Sequence, residues 1–198
     1  MDLYNSLKMC KEISYTHVSR GGDYAVIKSR DTLKIFFEWS DGIGDWIYNL
    51  NFVPMPTQPY KDMEDCWRCH RGFLKVWKAI EPHVAKYILD PSISYIEVSG
   101  YSHGAALALL CHEYCAYHRP DIVVEGAGFG CPRVMWGEVP ESVAQRLSNF
   151  NILWNGNDIV CHVPPTWLGF KHVGNVVRLE GSVNPIKDHY AEEYLKKF

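Results

Sequence analysis

The chain has 198 residues, 47% of them hydrophobic and 22% charged, which excludes a mainly disordered chain and is enough for one domain with a sizeable core. A formal charge of −3, with no basic run longer than Lys196-Lys197, lacks the electrostatic footprint of a nucleic-acid binder. No stretch of about 18 apolar residues marks a membrane span, and residues 1–15 hold no cationic segment followed by a long apolar one.

A cytoplasmic or otherwise intracellular chain is therefore expected, although a mature secreted chain would read the same way. The seven cysteines, an odd number, are expected as reduced thiols rather than a disulfide framework. Neither repeat nor composition break divides the sequence, so residues 1–198 are expected to form one domain.

Residues 23–28 and 32–37 are rich in Val, Ile, Phe and Tyr and flank Ser29-Arg30-Asp31, which predicts two antiparallel strands and places strands at the start of the domain. Residues 72–89 carry Phe73, Val76, Trp77, Ile80, Val84, Tyr87 and Ile88 at helical spacing. Asp90-Pro91 ends that helix, and Pro82 is a place for it to kink or split. A buried strand over 93–99, an apolar helix over 105–118 and a strand over 122–127 come next. A helix over 141–147, strands over 151–154 and 174–179 and a terminal helix over 190–197 complete the order. Alternating strands and helices predict a mostly parallel sheet covered on both faces, with its site at the carboxyl ends of the strands.

Ser102 stands between two glycines in Gly100-Tyr101-Ser102-His103-Gly104, at the junction of a predicted strand and a predicted helix. A sharp strand-to-helix turn projects such a serine as a nucleophile, whereas the plainer alternative is an N-cap on a buried helix. A serine hydroxyl needs a base, and the base needs an acid to fix its tautomer. In this arrangement the chain order is serine, acid, histidine. Asp158, beyond the strand and the turn Asn155-Gly156-Asn157, is the best acid. Glu125 and Glu180 fall in or at the end of strands, and Glu138 and Glu141 read as solvated residues at a helix start. Of the histidines that follow, His162 and His172 read as structural, and His189, after the last strand, is the expected base. Asp188 is set aside as the acid because adjacent side chains seldom reach the required geometry.

Five segments in order then resemble the class 3 lipase family, the fungal-lipase-like branch of the α/β-hydrolases, over most of the chain. They are Phe37-Glu38-Trp39-Ser40 followed by Asp45-Trp46-Ile47-Tyr48-Asn49-Leu50-Asn51-Phe52; His70-Arg71-Gly72-Phe73; Gly100-Tyr101-Ser102-His103-Gly104; Gly130-Cys131-Pro132-Arg133-Val134; and Asn157-Asp158-Ile159-Val160 before Pro164-Pro165. The resemblance implies a three-layer α/β-hydrolase fold of reduced size and a lipase or esterase acting on acylglycerols or other apolar esters. Ser102, Asp158 and His189 would form its triad, with no metal or organic cofactor. A phospholipase or acyltransferase using the same triad, or a non-catalytic lipid-binding descendant, are the alternatives.

The resemblance also implies an oxyanion hole built from Ser40 and the backbone N–H of His103. Glu38 and Trp39 depart from the family's usual Phe-Arg-Gly, and Trp39 is expected to narrow the acyl site. Ile43, Trp46, Ile47 and Leu50 form an apolar stripe on a short helix at about 42–52. That helix resembles the family's lid, which would bring transient contact with a lipid surface; simple packing on the core is the alternative.

Two further patterns point elsewhere. Cys66-Trp67-Arg68-Cys69-His70 fits covalent haem attachment, but His70 is already accounted for by the His-x-Gly-Phe match. Cys111, Cys115 and His118 share a helical face with zinc-like spacing, and small buried residues on a core helix are the simpler expectation.

Overall fold

The computed structural model describes residues 1–18, 22–37, 54–57 and 66–198, with 54–57 described by their backbone. It opens with a helix, α1 (Leu3–Glu12), where the sequence predicts strands first. Asp2 caps α1 by accepting from the Asn5 amide at 3.0 Å, and Leu7 and Cys10 supply the buried face. Ser6 is buried with them while Asn5, Lys8, Lys11 and Glu12 are exposed, so the buried stripe is short and narrow.

Strands β1 (Thr16–Val18), β2 (Gly22–Ser29) and β3 (Thr32–Phe37) follow as antiparallel neighbours, with the predicted turn at Arg30 and Asp31. β4 (Pro54–Thr57) pairs with β5 (Trp67–His70). α2 (Arg71–Ile88) runs through Pro82 as one helix and buries Phe73, Trp77, Ile80, Val84 and Ile88. The remaining elements are β6 (Tyr95–Tyr101), α3 (His103–His118), β7 (Val123–Phe129), β8 (Met135–Trp136), α4 (Glu141–Arg146), β9 (Phe150–Asn155), β10 (Phe170–Lys171), β11 (Asn175–Leu179) and α5 (Ala191–Leu195).

The main sheet has the order β1-β2-β3-β6-β7-β9-β11, and every pairing from β3 to β11 is parallel. A second, antiparallel sheet of order β10-β8-β5-β4 lies apart from it; strands of two to four residues are too short to show a period in sequence. β6 and β7 each extend two residues beyond their predicted ends. Gly100 pairs with Gly128 and Tyr101 with Phe129, because glycines that read as turn residues still carry ladder hydrogen bonds.

α3 is buried on every side from Gly104 to Cys115, which is why its sequence is apolar all round rather than striped. Its buried Glu113 is met by Arg146 of α4, whose Nε donates at 2.8 Å. α2 and α3 cover one face of the sheet. On the other, α1 and α5 pack Leu7, Ala191 and Tyr194 against Tyr101, Ala127, Phe129 and Leu153. Helices thus lie on both faces, as in an α/β-hydrolase.

Candidate active site

Three loops meet at the carboxyl ends of parallel strands. Ser102 follows β6, Asp158 follows β9, and His189 closes the segment after β11. Ser102 adopts φ +54° and ψ −119°, a conformation that an L residue reaches only under strain. The turn is tight enough that a Cβ on Gly100 would lie 2.1 Å from the carbonyl oxygen of Gly104, so only glycine fits there. Although Ser102 occupies the N-cap position of α3, its side chain makes no capping bond. Its Oγ lies instead 2.9 Å from Nε2 of His189.

Nδ1 of His189 lies 2.8 Å from both carboxylate oxygens of Asp158. Ser102, Asp158 and His189 are all buried. The amide of Val160 donates to Asp158 Oδ1 at 2.8 Å, and the hydroxyl of Tyr194 donates to Oδ2 at 2.6 Å. A buried carboxylate supplied with these donors can accept the imidazole N–H, leaving Nε2 to face the serine as a hydrogen-bond acceptor. Such a series can take a proton from the serine hydroxyl as it attacks an acyl carbon.

The histidine is fixed from its own backbone as well. Tyr101 donates its hydroxyl to the carbonyl of His189 and lays its ring against the imidazole, with centroids 5.0 Å apart. Gly130 has φ +59°, and a Cβ there would meet Asp158 Oδ2 and His189 Cε1 at 2.8 Å. That glycine leaves room for Asp158 and His189 to meet.

Asp188, set aside as an acid by sequence, braces the loops. Its carboxylate accepts from the amides of Asn157 at 2.8 Å and Ser182 at 2.7 Å, and its carbonyl accepts from the Asn155 side chain at 2.9 Å. Burial pushes its pKa up, but the Asn157 and Ser182 bonds outweigh burial and leave it below the usual carboxylate value. A depressed folded-state pKa stabilises the fold above the unfolded value, and that contribution is lost as pH falls through the folded one. Asp188→Asn is therefore expected to cost about 2 kcal/mol at pH 7, with the gap to the native protein narrowing below about pH 4. Denaturant unfolding at both pH values measures this; a gap unchanged down to pH 3 contradicts it.

His103 begins α3, so its N–H belongs to the amino-terminal turn beside Ser102. Its imidazole packs on Phe73, with centroids 5.5 Å apart, and burial, with a smaller push from His70, lowers its pKa to about 4. The other site residues of the sequence reading, Ser40, Trp39, Ile43, Trp46, Ile47 and Leu50, lie outside the described residues, as does the expected helix at about 42–52.

His70 caps α2: its Nδ1 accepts from the amides of Gly72 at 3.1 Å and Phe73 at 3.4 Å, and burial lowers its pKa to about 4. Cys69 beside it is fully buried. All seven cysteines are free thiols; those of Cys111 and Cys115 lie 4.0 Å apart inside the core, and the His118 ring packs tilted against Tyr114, with centroids 4.2 Å apart.

Tyr101, Gly130, Asp188 and Tyr194 escaped the sequence reading as site residues. One signal was available for Tyr194, which with Leu195 stands between the charged residues Glu192-Glu193 and Lys196-Lys197.

The model of the "Lipase (class 3)" family matches residues 35–167, more than half of the chain. A lipase of Rhizomucor miehei is 30% identical over 181 residues, covering 87% of this chain and 48% of that protein. Secreted mono- and diacylglycerol lipase 1 of Fusarium solani is 25% identical over 187 residues, covering 91% and 53% respectively. The chain thus spans about half the length of these relatives. Among solved structures, the triacylglyceride lipase of Rhizomucor miehei superposes with a TM-score of 0.69 at 26% identity, over 84% of this chain and 65% of that one. A second structure, described as a triacylglycerol lipase whose catalytic centre is a serine protease triad, gives 0.69 at 27% identity, over 84% and 65%. The chain, with its mostly parallel sheet and helices on both faces, belongs to the class 3 lipase family and has the α/β-hydrolase fold.

Proposed function

We propose that the protein is a serine carboxylic-ester hydrolase that acts on acylglycerols or other apolar esters. The observation that carries this is the unbroken hydrogen-bonded series from the buried Asp158 carboxylate through His189 to Ser102 Oγ. Ser102 Oγ attacks the ester carbonyl carbon while Nε2 of His189 takes its proton. The tetrahedral intermediate collapses with cleavage of the acyl–oxygen bond, and His189 returns that proton to the departing alcohol. Water, deprotonated by His189, then attacks the acyl-enzyme and releases the acid, restoring the Ser102 hydroxyl.

The N–H of His103 supplies one oxyanion donor in this reading, and Ser40 the other. Ser40 and the lid role of residues 42–52 enter from the family resemblance, as does the absence of a metal or organic cofactor, and the single domain enters from a sequence that no repeat or composition break divides. Release of fatty acid from mono- and diacylglycerols, blocked by a fluorophosphonate, is the expected result. A native protein that neither hydrolyses these esters nor takes up the probe contradicts the reading.

No helix among the described residues is long and apolar enough to cross a membrane. Transient contact with a lipid surface fits the apolar side chains carried by the loops that lead from Asp158 and into His189. Trp167 is 80% exposed, Val183 92% and Ile186 59%. Trp167→Ala is expected to weaken binding to neutral-lipid emulsions by about tenfold, the effect of losing at least about 1.4 kcal/mol of apolar burial. Hydrolysis of a dissolved short-chain ester should stay the same. Sedimentation of protein with the emulsion measures the first quantity, and unchanged binding rejects this contact. The relatives whose names include "secreted" favour an exported protein over the intracellular one expected from sequence.

A further inference from the structure

Tyr194 lies on α5, five residues beyond His189, and is fully buried. Its ring stands edge-on to Tyr101, with centroids 6.4 Å apart, and to Phe129 at 6.3 Å. The phenol oxygen accepts the backbone N–H of Asn155 at 3.1 Å, and the single hydroxyl proton goes to Asp158 Oδ2 at 2.6 Å. Two ends of the site are joined by that one side chain, since Asn155 ends the strand leading to the acid and α5 starts two residues after the base, with Tyr190 as its cap.

A hydrogen bond donated to a carboxylate both orients it and draws charge away from its other partner. His189 Nδ1 is that other partner, at the same Oδ2. We propose that Tyr194 is a positioning residue that holds the Asp158 carboxylate and attenuates the charge it presents to His189. This rests on the reading of Ser102, His189 and Asp158 as a catalytic triad.

The groups facing this cluster do not compete as titrating bases near neutral pH. Burial raises the thiol pKa values of Cys131 and Cys161 and the phenol pKa values of Tyr101 and Tyr194. Asp188 and Glu192 are shifted down, which keeps them ionised. His162 is shifted down chiefly by burial, and then by Arg133 and Arg178. In the proposed mechanism His189 is the base of acylation, so the acid limb reads its protonation.

Tyr194→Phe removes the donor and returns the full carboxylate charge to the imidazole. The imidazolium gains stability, so the acid limb of fluorophosphonate acylation is expected to move up by about half a pH unit. The plateau rate should fall about tenfold through looser orientation. The low-field proton resonance of His189 Nδ1–H should move further downfield. Replacing Tyr194 site-specifically with 3-fluorotyrosine, a more acidic phenol that keeps every bond, is expected to move limb and resonance in the opposite direction. This second replacement preserves the test if the phenylalanine variant does not fold.

A native protein that labels normally, with limb and resonance unmoved by either replacement, overturns the role of Tyr194 and leaves the triad intact. Should the native protein take up no probe while the resonance still follows the replacements, the hydrolase reading fails and the link from Tyr194 through Asp158 to His189 stands.

Discussion

Ser102→Ala is expected to abolish covalent labelling by a fluorophosphonate and to lower ester turnover by about 10⁵-fold or more. The hydroxyl removed is the one placed 2.9 Å from the imidazole, on the strained turn after β6. Alanine meets the same backbone strain as serine at φ +54° and loses one side-chain hydrogen bond, so the melting temperature should move by only a few degrees. His189→Ala should cost a similar factor, and the double variant little more, because the two residues act as a unit. Mass spectrometry of the labelled protein locates the adduct. An adduct that persists in Ser102→Ala assigns the nucleophile elsewhere and refutes the proposed mechanism.

Asp158→Asn is expected to lower kcat by about 10⁴-fold with little change in KM, the signature of an interaction needed in the transition state. The local donors explain why so small a change matters. Both oxygens of Asp158 accept: Oδ1 from the Val160 amide, Oδ2 from Tyr194, and both from His189 Nδ1. A side-chain amide has one acceptor oxygen and one donor group. With its oxygen kept on the fixed Val160 N–H, its NH₂ faces Tyr194 and the imidazole. His189 Nδ1 must then accept, which puts the ring proton on Nε2, toward Ser102, where it cannot serve as a base. Nitrogen NMR of the imidazole reports the tautomer directly. Wild-type turnover in this variant would show that the carboxylate has no part in the reaction.

Both predictions concern residues that the sequence had already put in order. Gly100 and Gly104 around Ser102 marked a turn too tight for side chains, and the apolar run before them marked its strand. Asp158 could be selected because a turn follows a strand there, and His189 because it lies beyond the last strand. Tyr194 and Asp188 were not legible in the same way. Their effect depends on which backbone amides and carboxylate oxygens α5 and the loop before it approach, and no spacing along the chain encodes that approach. Gly130 was visible as part of a motif, but the requirement behind it is spatial: the positions of Asp158 and His189 exclude a Cβ there.

The sequence by itself determined the alternation of strands and helices, the serine turn and the order of the candidate acid and base, because these follow from local sterics and from the periods of apolar burial. Only the tertiary structure decided that the chain begins with a helix, that short strands form a second sheet, and that His70 caps a helix. It alone decided, too, that the Ser102 side chain turns to His189 instead of capping α3, and that Tyr194 and Asp188 hold the loops around Asp158. Hydrogen bonds between residues 87 positions apart for Ser102 and His189, or 36 for Tyr194 and Asp158, come into being only when the sheet brings its strand ends together. A pattern read along a chain registers neighbours in sequence, whereas these bonds depend on neighbours in space.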